Sequence, residues 1–260
     1  MKFLLFGFLF RIAGYRKRVV RANLRGSFPD WSGNELDRQV RLFYKNFSDV
    51  LVENAIIFAM GKKALYKRIR VLNPELFDEM ARENISALCI GGHVANWEWG
   101  GMAIGNASPM HNVAVYLPLK NRYVDRVMRQ TRSRLTKLDT LVPSRDIFKA
   151  LLRAPRPFQT YIIADQSPSR EHHHRVEFLG RSTAFFNGPA KMMKKMKLGA
   201  VYIETRRTKR GHYEVELKLM FKDPARLSEE EITAMYAGYL EQTIRNRPAD
   251  WLWSHKRWKF

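Results

Sequence analysis

Four short apolar runs constrain this chain most: "SALCIGG" (86–92), "NVAVYL" (112–117), "FQTYIIAD" (158–165) and "GAVYIETR" (199–206). Each is short and rich in β-branched or aromatic residues, the pattern of a buried strand. Helical spacing fills the intervals between them, at about 96–105, 121–135, 144–153 and 187–197. Strands alternating with helices predict an α/β fold: a single domain whose central, mostly parallel sheet is flanked by helices. "HYEVELKLMF" (212–221) alternates polar and apolar residues, which predicts a half-exposed strand, antiparallel at an edge. Ahead of the sheet, residues 32–60 carry the spacing of a long helix, with Ser32 as N-cap and Glu35 three residues on. Gly61 ends it, and a second helical piece runs to about Arg70. Asn73 and Pro74 open another helix through about Glu83, and a last helix covers 228–246 from Ser228.

Composition bears on what such a domain meets. Hydrophobic residues make up 45% of 260 positions, enough for a packed core and against disorder. Lys and Arg number 46 against 25 Asp and Glu, a formal charge of +21. A field of that sign draws anionic partners: nucleic acid, an anionic membrane surface, or an acidic protein or substrate. The single cysteine, Cys89, excludes a disulfide framework and reads as a buried thiol of a protein that faces the cytosol. At the N-terminus, the apolar run from Phe3 to Phe10 is too short to span a bilayer alone. Six arginines and lysines follow it by residue 25 with no acid among them. Residues 1–30 are therefore predicted to be a basic, amphipathic, membrane-anchoring helical extension, and 31–260 the domain proper.

The chemistry is predicted at "IGGHVANWEWGG" (90–101), where an apolar strand stops at two glycines. Ligand sites of open α/β sheets lie outside the carboxyl ends of the strands. His93 follows one such end, and Asp165 and Gln166 follow another, so all three are expected on one rim. His93 and Glu98 lie five apart, roughly 140° out of phase on a regular helix. They can pair only if His93 precedes the helix or sits in a distorted first turn, an entry that Gly91 and Gly92 permit. A carboxylate on one ring nitrogen fixes the tautomer and supports the imidazolium, the equipment of a general base. A structural histidine capping a helix is the alternative. For Asp165 the alternative is a turn cap. Basic residues cluster at 120–137, seven against the one acid Asp125, and again at Lys191, Lys194, Lys195 and Lys197. A solvated helix face is the plain reading of both clusters. The run "EHHHR" (171–175) is read as a solvated loop and not a metal site, because neighbouring loop histidines do not close a tetrahedral set.

"GGHVANWEWGG", with His93, Asn96, Trp97 and Glu98, resembles the signature of the bacterial lipid A biosynthesis acyltransferases, of the lauroyl/myristoyl-transferase type, within the lysophospholipid acyltransferase superfamily. Further blocks are similar in order along nearly the whole chain: "YRKRVVRANLRGSFP" (15–29), "VYLPLKNRYVDRVMRQTRSR" (115–134), "ADQSP" (164–168), "FLGRSTAFFNGPAKMMKK" (178–195) and "PADWLWSHKRWK" (248–259). The resemblance implies transfer of a fatty acyl group from an acyl carrier protein or acyl-CoA to a hydroxyl of an anionic lipid acceptor. It places the enzyme at the membrane surface, on the cytoplasmic face of the bacterial inner membrane. It implies His93 as base, Glu98 as its orienting partner, and Asn96, Lys120, Asp165, Gln166 and Gly188 as substrate-binding residues; within the basic run Arg126 and Arg129, three apart on one helix face, are the substrate-binding candidates by spacing. It calls for no metal, cofactor or nucleic acid. One departure stands out: Leu117 occupies the position where the family carries an arginine, and Lys120, Arg122 or Arg126 are candidates to replace its charge. Rival readings are an acyltransferase for a lysophospholipid or amino-acid-based lysolipid, a basic nucleic-acid-binding protein, and a noncatalytic lipid-binding scaffold.

Overall fold

A computed structural model describes residues 14–118, 121–168 and 171–259. Helix α1 (Lys17–Ser27) opens the described chain. Its Val20, Asn23, Leu24 and Ser27, spaced as one helix face, are buried, and the Asn23 amide donates to the carbonyls of Trp253 and His255 at 2.9 Å each. Part of the stretch read as an anchor is thus built into the body, with Arg18, Arg21 and Arg25 on its outer side. Residues 1–13 lie outside the described residues.

Helix α2 (Gly33–Ile56) starts where the Ser32 hydroxyl accepts from Glu35 N–H at 3.2 Å. The other half of the expected capping box is missing, because Glu35 turns to Arg38 and Gln39. Helix α3 (Lys62–Tyr66), strand β1 (Ile69–Val71) and helix α4 (Glu75–Arg82) follow. The α/β core then runs through β2 (Ala87–Gly91), α5 (Trp97–Ala107), β3 (His111–Tyr116), α6 (Arg122–Leu135), β4 (Thr140–Pro143), α7 (Ile147–Arg153) and β5 (Phe158–Ile163). Next come a hairpin of β6 (His173–Phe178) and β7 (Arg181–Phe186), α8 (Gly188–Met196), β8 (Gly199–Lys209), β9 (His212–Phe221) and α9 (Glu229–Asn246). Both arms of a capping box are made at Ser228 and Glu231 at the start of α9.

Among the described residues the main sheet has seven strands in the order β1-β9-β8-β2-β5-β3-β4. Only the β8–β9 pairing is antiparallel. The fold is the α/β domain that the alternating runs predict. β9 is antiparallel as expected but is not an edge strand, because β1 covers its outer side. The helical piece expected to about Arg70 stops at Tyr66, and Ile69–Val71 instead pairs with β9, because a three-residue strand is too short to show its period in the sequence. The histidine run is also not wholly a loop: His173 and His174 pair with Phe186 and Phe185 in the hairpin. That hairpin closes through Leu179 and Gly180, both at positive φ (53° and 73°), the two-residue turn whose twist matches its strands.

The topology fixes where a site can form. From β2 the chain leaves through α5 to β3, on one side of the sheet order; from β5 it leaves for β8, on the other side of β2. Adjacent parallel strands whose connections depart in opposite directions leave a crevice at their carboxyl ends. The register pairs Gly91 with Ile163, so the residue two places beyond each strand end is His93 on one side and Asp165 on the other.

Candidate active site

The crevice brings those two side chains into contact. His93 Nδ1 lies 2.5 Å from Asp165 Oδ1, and the His93 backbone N–H donates to Asp165 Oδ2 at 2.7 Å. The Trp251 indole N–H donates to the same Oδ2, also at 2.7 Å. Asp165 is 2% exposed, with three donors converging on it. Gly92 makes this approach possible: a Cβ there would sit 2.6 Å from Leu240 Cδ1 and 3.1 Å from Asp165 Oδ2. Ala95 takes a left-handed φ of 51° between His93 and α5 and donates its N–H to Asp250 O at 2.8 Å.

Electrostatics follows the geometry. Burial disfavours the His93 imidazolium, but the Asp165 carboxylate, by charge and by hydrogen bond, more than offsets it, with Glu98 adding to the same side. The pKa of His93 is therefore held above its ordinary 6.5. Burial would likewise raise Asp165, yet the His93 charge and hydrogen bond, the Trp251 N–H and the His93 backbone N–H hold it below its ordinary 3.8. Asp165 is thus an anion at neutral pH. It keeps the proton of a neutral His93 on Nδ1 and leaves Nε2 as the acceptor. The Gln166 amide reaches that nitrogen at 3.3 Å, a long hydrogen bond that an incoming hydroxyl can displace.

The expected pairing of His93 with Glu98 is not the one formed. His93 does precede the helix, but Glu98, in the first turn of α5, takes Arg132 of α6 instead, with Nη2 at 3.1 Å from Oε1 and 2.9 Å from Oε2. Helical phase is the cause: with Asn96 as the cap, Glu98 projects toward α6 while the strand register hands His93 to β5. Asn96 is fully buried; its Oδ1 accepts from Trp99 N–H at 3.2 Å and its amide donates to Glu53 at 2.9 Å. It shapes the turn and does not line the cavity.

That cavity, of about 560 Å³, adjoins the imidazole. His93, Trp97, Glu98 and Arg132 form one end of its wall, and apolar groups such as Met102, Val115, Met128, Leu138 and Ile162 form much of the rest. Arg129 lines it and pairs with Asp125 at 3.0 Å, whereas Arg126 points to solvent and is not in the wall. Gly188 sits at the start of α8, packed under the Phe186 ring, and is likewise outside the wall. Lys120 lies outside the described residues. Among the described residues no serine or cysteine hydrogen-bonds the His93 ring, and Cys89 is buried in β2.

Two residues that sequence reasoning did not single out complete the site. Arg132 stands inside the basic run, indistinguishable there from its neighbours. Trp251 belongs to the C-terminal aromatic block, which threads past the His93 loop: Val94 bridges to Trp251, Leu252 N–H donates to His93 O at 3.1 Å, and the Ser167 hydroxyl lies 2.7 Å from Arg257 O. Trp251→Phe keeps an aromatic ring, smaller than the indole, but removes one hydrogen bond to a buried carboxylate, an interaction of about 1.5–3 kcal/mol. The expected result is a loss of roughly tenfold or more in kcat/KM with little change in KM, read from steady-state kinetics.

An α/β sheet with a carboxylate-held histidine at its switch point, beside a cavity with a largely apolar wall, defines an α/β protein with a ligand-sized site at the carboxyl ends of its strands. The chain belongs to the bacterial lipid A biosynthesis acyltransferase family, whose sequence model matches residues 4–260, and it is an acyltransferase. Similar curated proteins are the lipid A biosynthesis palmitoleoyltransferase of Escherichia coli (strain K12) and the lipid A biosynthesis acyltransferase of Shigella flexneri. Each is 20% identical over 245 residues, covering 94% of this chain and 79% of the relative.

Proposed function

We propose that the enzyme moves a fatty acyl group from an acyl thioester, carried by acyl carrier protein, to a hydroxyl of a lipid A precursor. The work takes place at the cytoplasmic face of the inner membrane, with the basic segment 1–30 as anchor, its helix Lys17–Ser27 also packed on the catalytic domain 31–260. The observation that carries the reading is the His93–Asp165 pair set against a cavity with a largely apolar wall. His93 Nε2 takes the acceptor hydroxyl's proton, and the alkoxide attacks the thioester carbonyl carbon. The tetrahedral oxyanion collapses with cleavage of the C–S bond, and the imidazolium returns its proton to the departing thiolate. Asp165 stabilises the imidazolium between those two transfers. Arg132, aimed by Glu98, supplies the positive charge facing the oxyanion, in place of the arginine that Leu117 lacks. The charge of +21 suits both an acidic carrier and a phosphorylated acceptor.

Incubating the purified enzyme with acyl carrier protein or CoA thioesters of several chain lengths and lipid A precursors, with mass spectrometry of the products, tests this. Acylated precursor formed from the carrier thioester supports it. Acylation of a lysophospholipid or amino-acid lysolipid alone overturns the acceptor, and no transfer with His93 intact overturns the reading. Glu98→Gln weakens the hold on Arg132 but leaves the His93–Asp165 contact. Its expected cost is about tenfold in kcat, with the acid limb of the pH profile moved only slightly.

A further inference from the structure

Helix α6 carries an apolar stripe at Val124, Val127, Thr131 and Leu135, spaced three, four and four residues apart on one face. Its C-terminal half is covered: Thr131 and Leu135 are buried, Tyr66 Oη donates to Leu135 O at 3.0 Å, and Arg134 donates to the carbonyls of Phe58 and Met60 at 2.9 Å each. The N-terminal half of the same stripe is bare. Val124 and Val127 are 47% and 46% exposed, and beside them Tyr123 is 81% and Leu117 75% exposed. The neighbouring face of α6 lines the cavity through Asp125, Met128, Arg129 and Arg132, and Leu117 lies in the same wall. The bare patch is therefore at the cavity's rim. Charge on α6 is predominantly positive: it carries Arg122, Arg126, Arg129, Arg132 and Arg134 against Asp125.

We propose that this end of α6, with Tyr123, Val124 and Val127 inserted at headgroup depth and Arg122 and Arg126 against phosphates, is a docking surface for an anionic phospholipid leaflet. The apolar residues give insertion, the tyrosine suits the interface, and the arginines select anionic lipid. The contact differs from the N-terminal anchor and turns the cavity mouth toward the bilayer, so that acyl chains pass between membrane and site without crossing water. Its geometry stands whichever lipid accepts the acyl group. A folded acidic protein would satisfy the arginines but gives no reason for bare valines beside a lipid-sized cavity.

The test uses the full chain with an environment-sensitive fluorophore on Tyr123→Cys or, at the opposite rim of the sheet, on Arg82→Cys. Buried Cys89, whose thiol burial pushes far up, stays unlabelled. On phosphatidylethanolamine vesicles containing phosphatidylglycerol, the probe at 123 is expected to shift to the blue and to lose most of its quenching by aqueous iodide. The probe at 82 does neither. The triple change Tyr123→Ser, Val124→Ser and Val127→Ser is expected to lower vesicle partitioning about tenfold or more with an unchanged melting temperature. A probe at 123 as open to iodide on vesicles as in water, an equal response at 82, or a response to acyl carrier protein without lipid overturns the proposal. The same measurements on His93→Ala protein separate docking from catalysis, because the probe reports without turnover.

Discussion

His93→Ala is expected to reduce acyl transfer by about 10²–10⁴-fold, the range for loss of a positioned general base. The drop is expected on kcat, since the imidazole is one group in a cavity wall whose many apolar residues the substitution leaves in place. The protein should still fold: the loop it leaves is held by backbone contacts from Leu252 to His93 O and from Ala95 to Asp250 O, which alanine keeps. Single-turnover transfer from a labelled acyl thioester, with circular dichroism to check the fold, measures both halves. Transfer within tenfold of the parent would remove His93 from the chemistry.

Asp165→Asn has the second largest expected effect, and its signature is a change in pH dependence. An imidazole can act as a base only when neutral, and the pKa of His93 is held above 6.5, so activity in the parent is expected to rise with pH through a midpoint above 6.5. Asparagine removes the charge that raises this value and leaves the burial that lowers it, so the acid limb moves to a midpoint below 6.5. The plateau falls at the same time, by about 10²–10⁴-fold, because the amide does not stabilise the imidazolium and does not fix the tautomer. A kcat/KM profile from pH 5 to 9 on the two proteins shows both changes. If the limb stays in place, Asp165 does not set the protonation of His93. A larger shift from Glu98→Gln than from Asp165→Asn would return the orienting role to Glu98.

Much of this site is legible from local pattern. The change from helical to strand period placed β2, β3, β5 and β8, and the rule that ligands sit beyond carboxyl ends brought His93, Asp165 and Gln166 to one rim. Short elements escaped: β1 and β4 are three and four residues long, and the β6–β7 hairpin lay hidden inside a histidine run and a block read only for its resemblance. Arg126 and Arg129, three residues apart, share one helix face by spacing, yet the helix turns only Arg129 into the wall.

By itself, then, the sequence determined the α/β class, the position of a histidine at the end of a buried strand and the sign of the field around it, because periodicity, glycine placement and net charge are properties of neighbours along the chain. Only the tertiary structure decided which carboxylate holds that histidine. Glu98, five residues away, is carried by helical phase to Arg132, while Asp165, 72 residues away, is delivered by parallel register and fixed by an indole from the C-terminal segment. Hydrogen-bond partners across a sheet are set by strand pairing and not by distance along the chain.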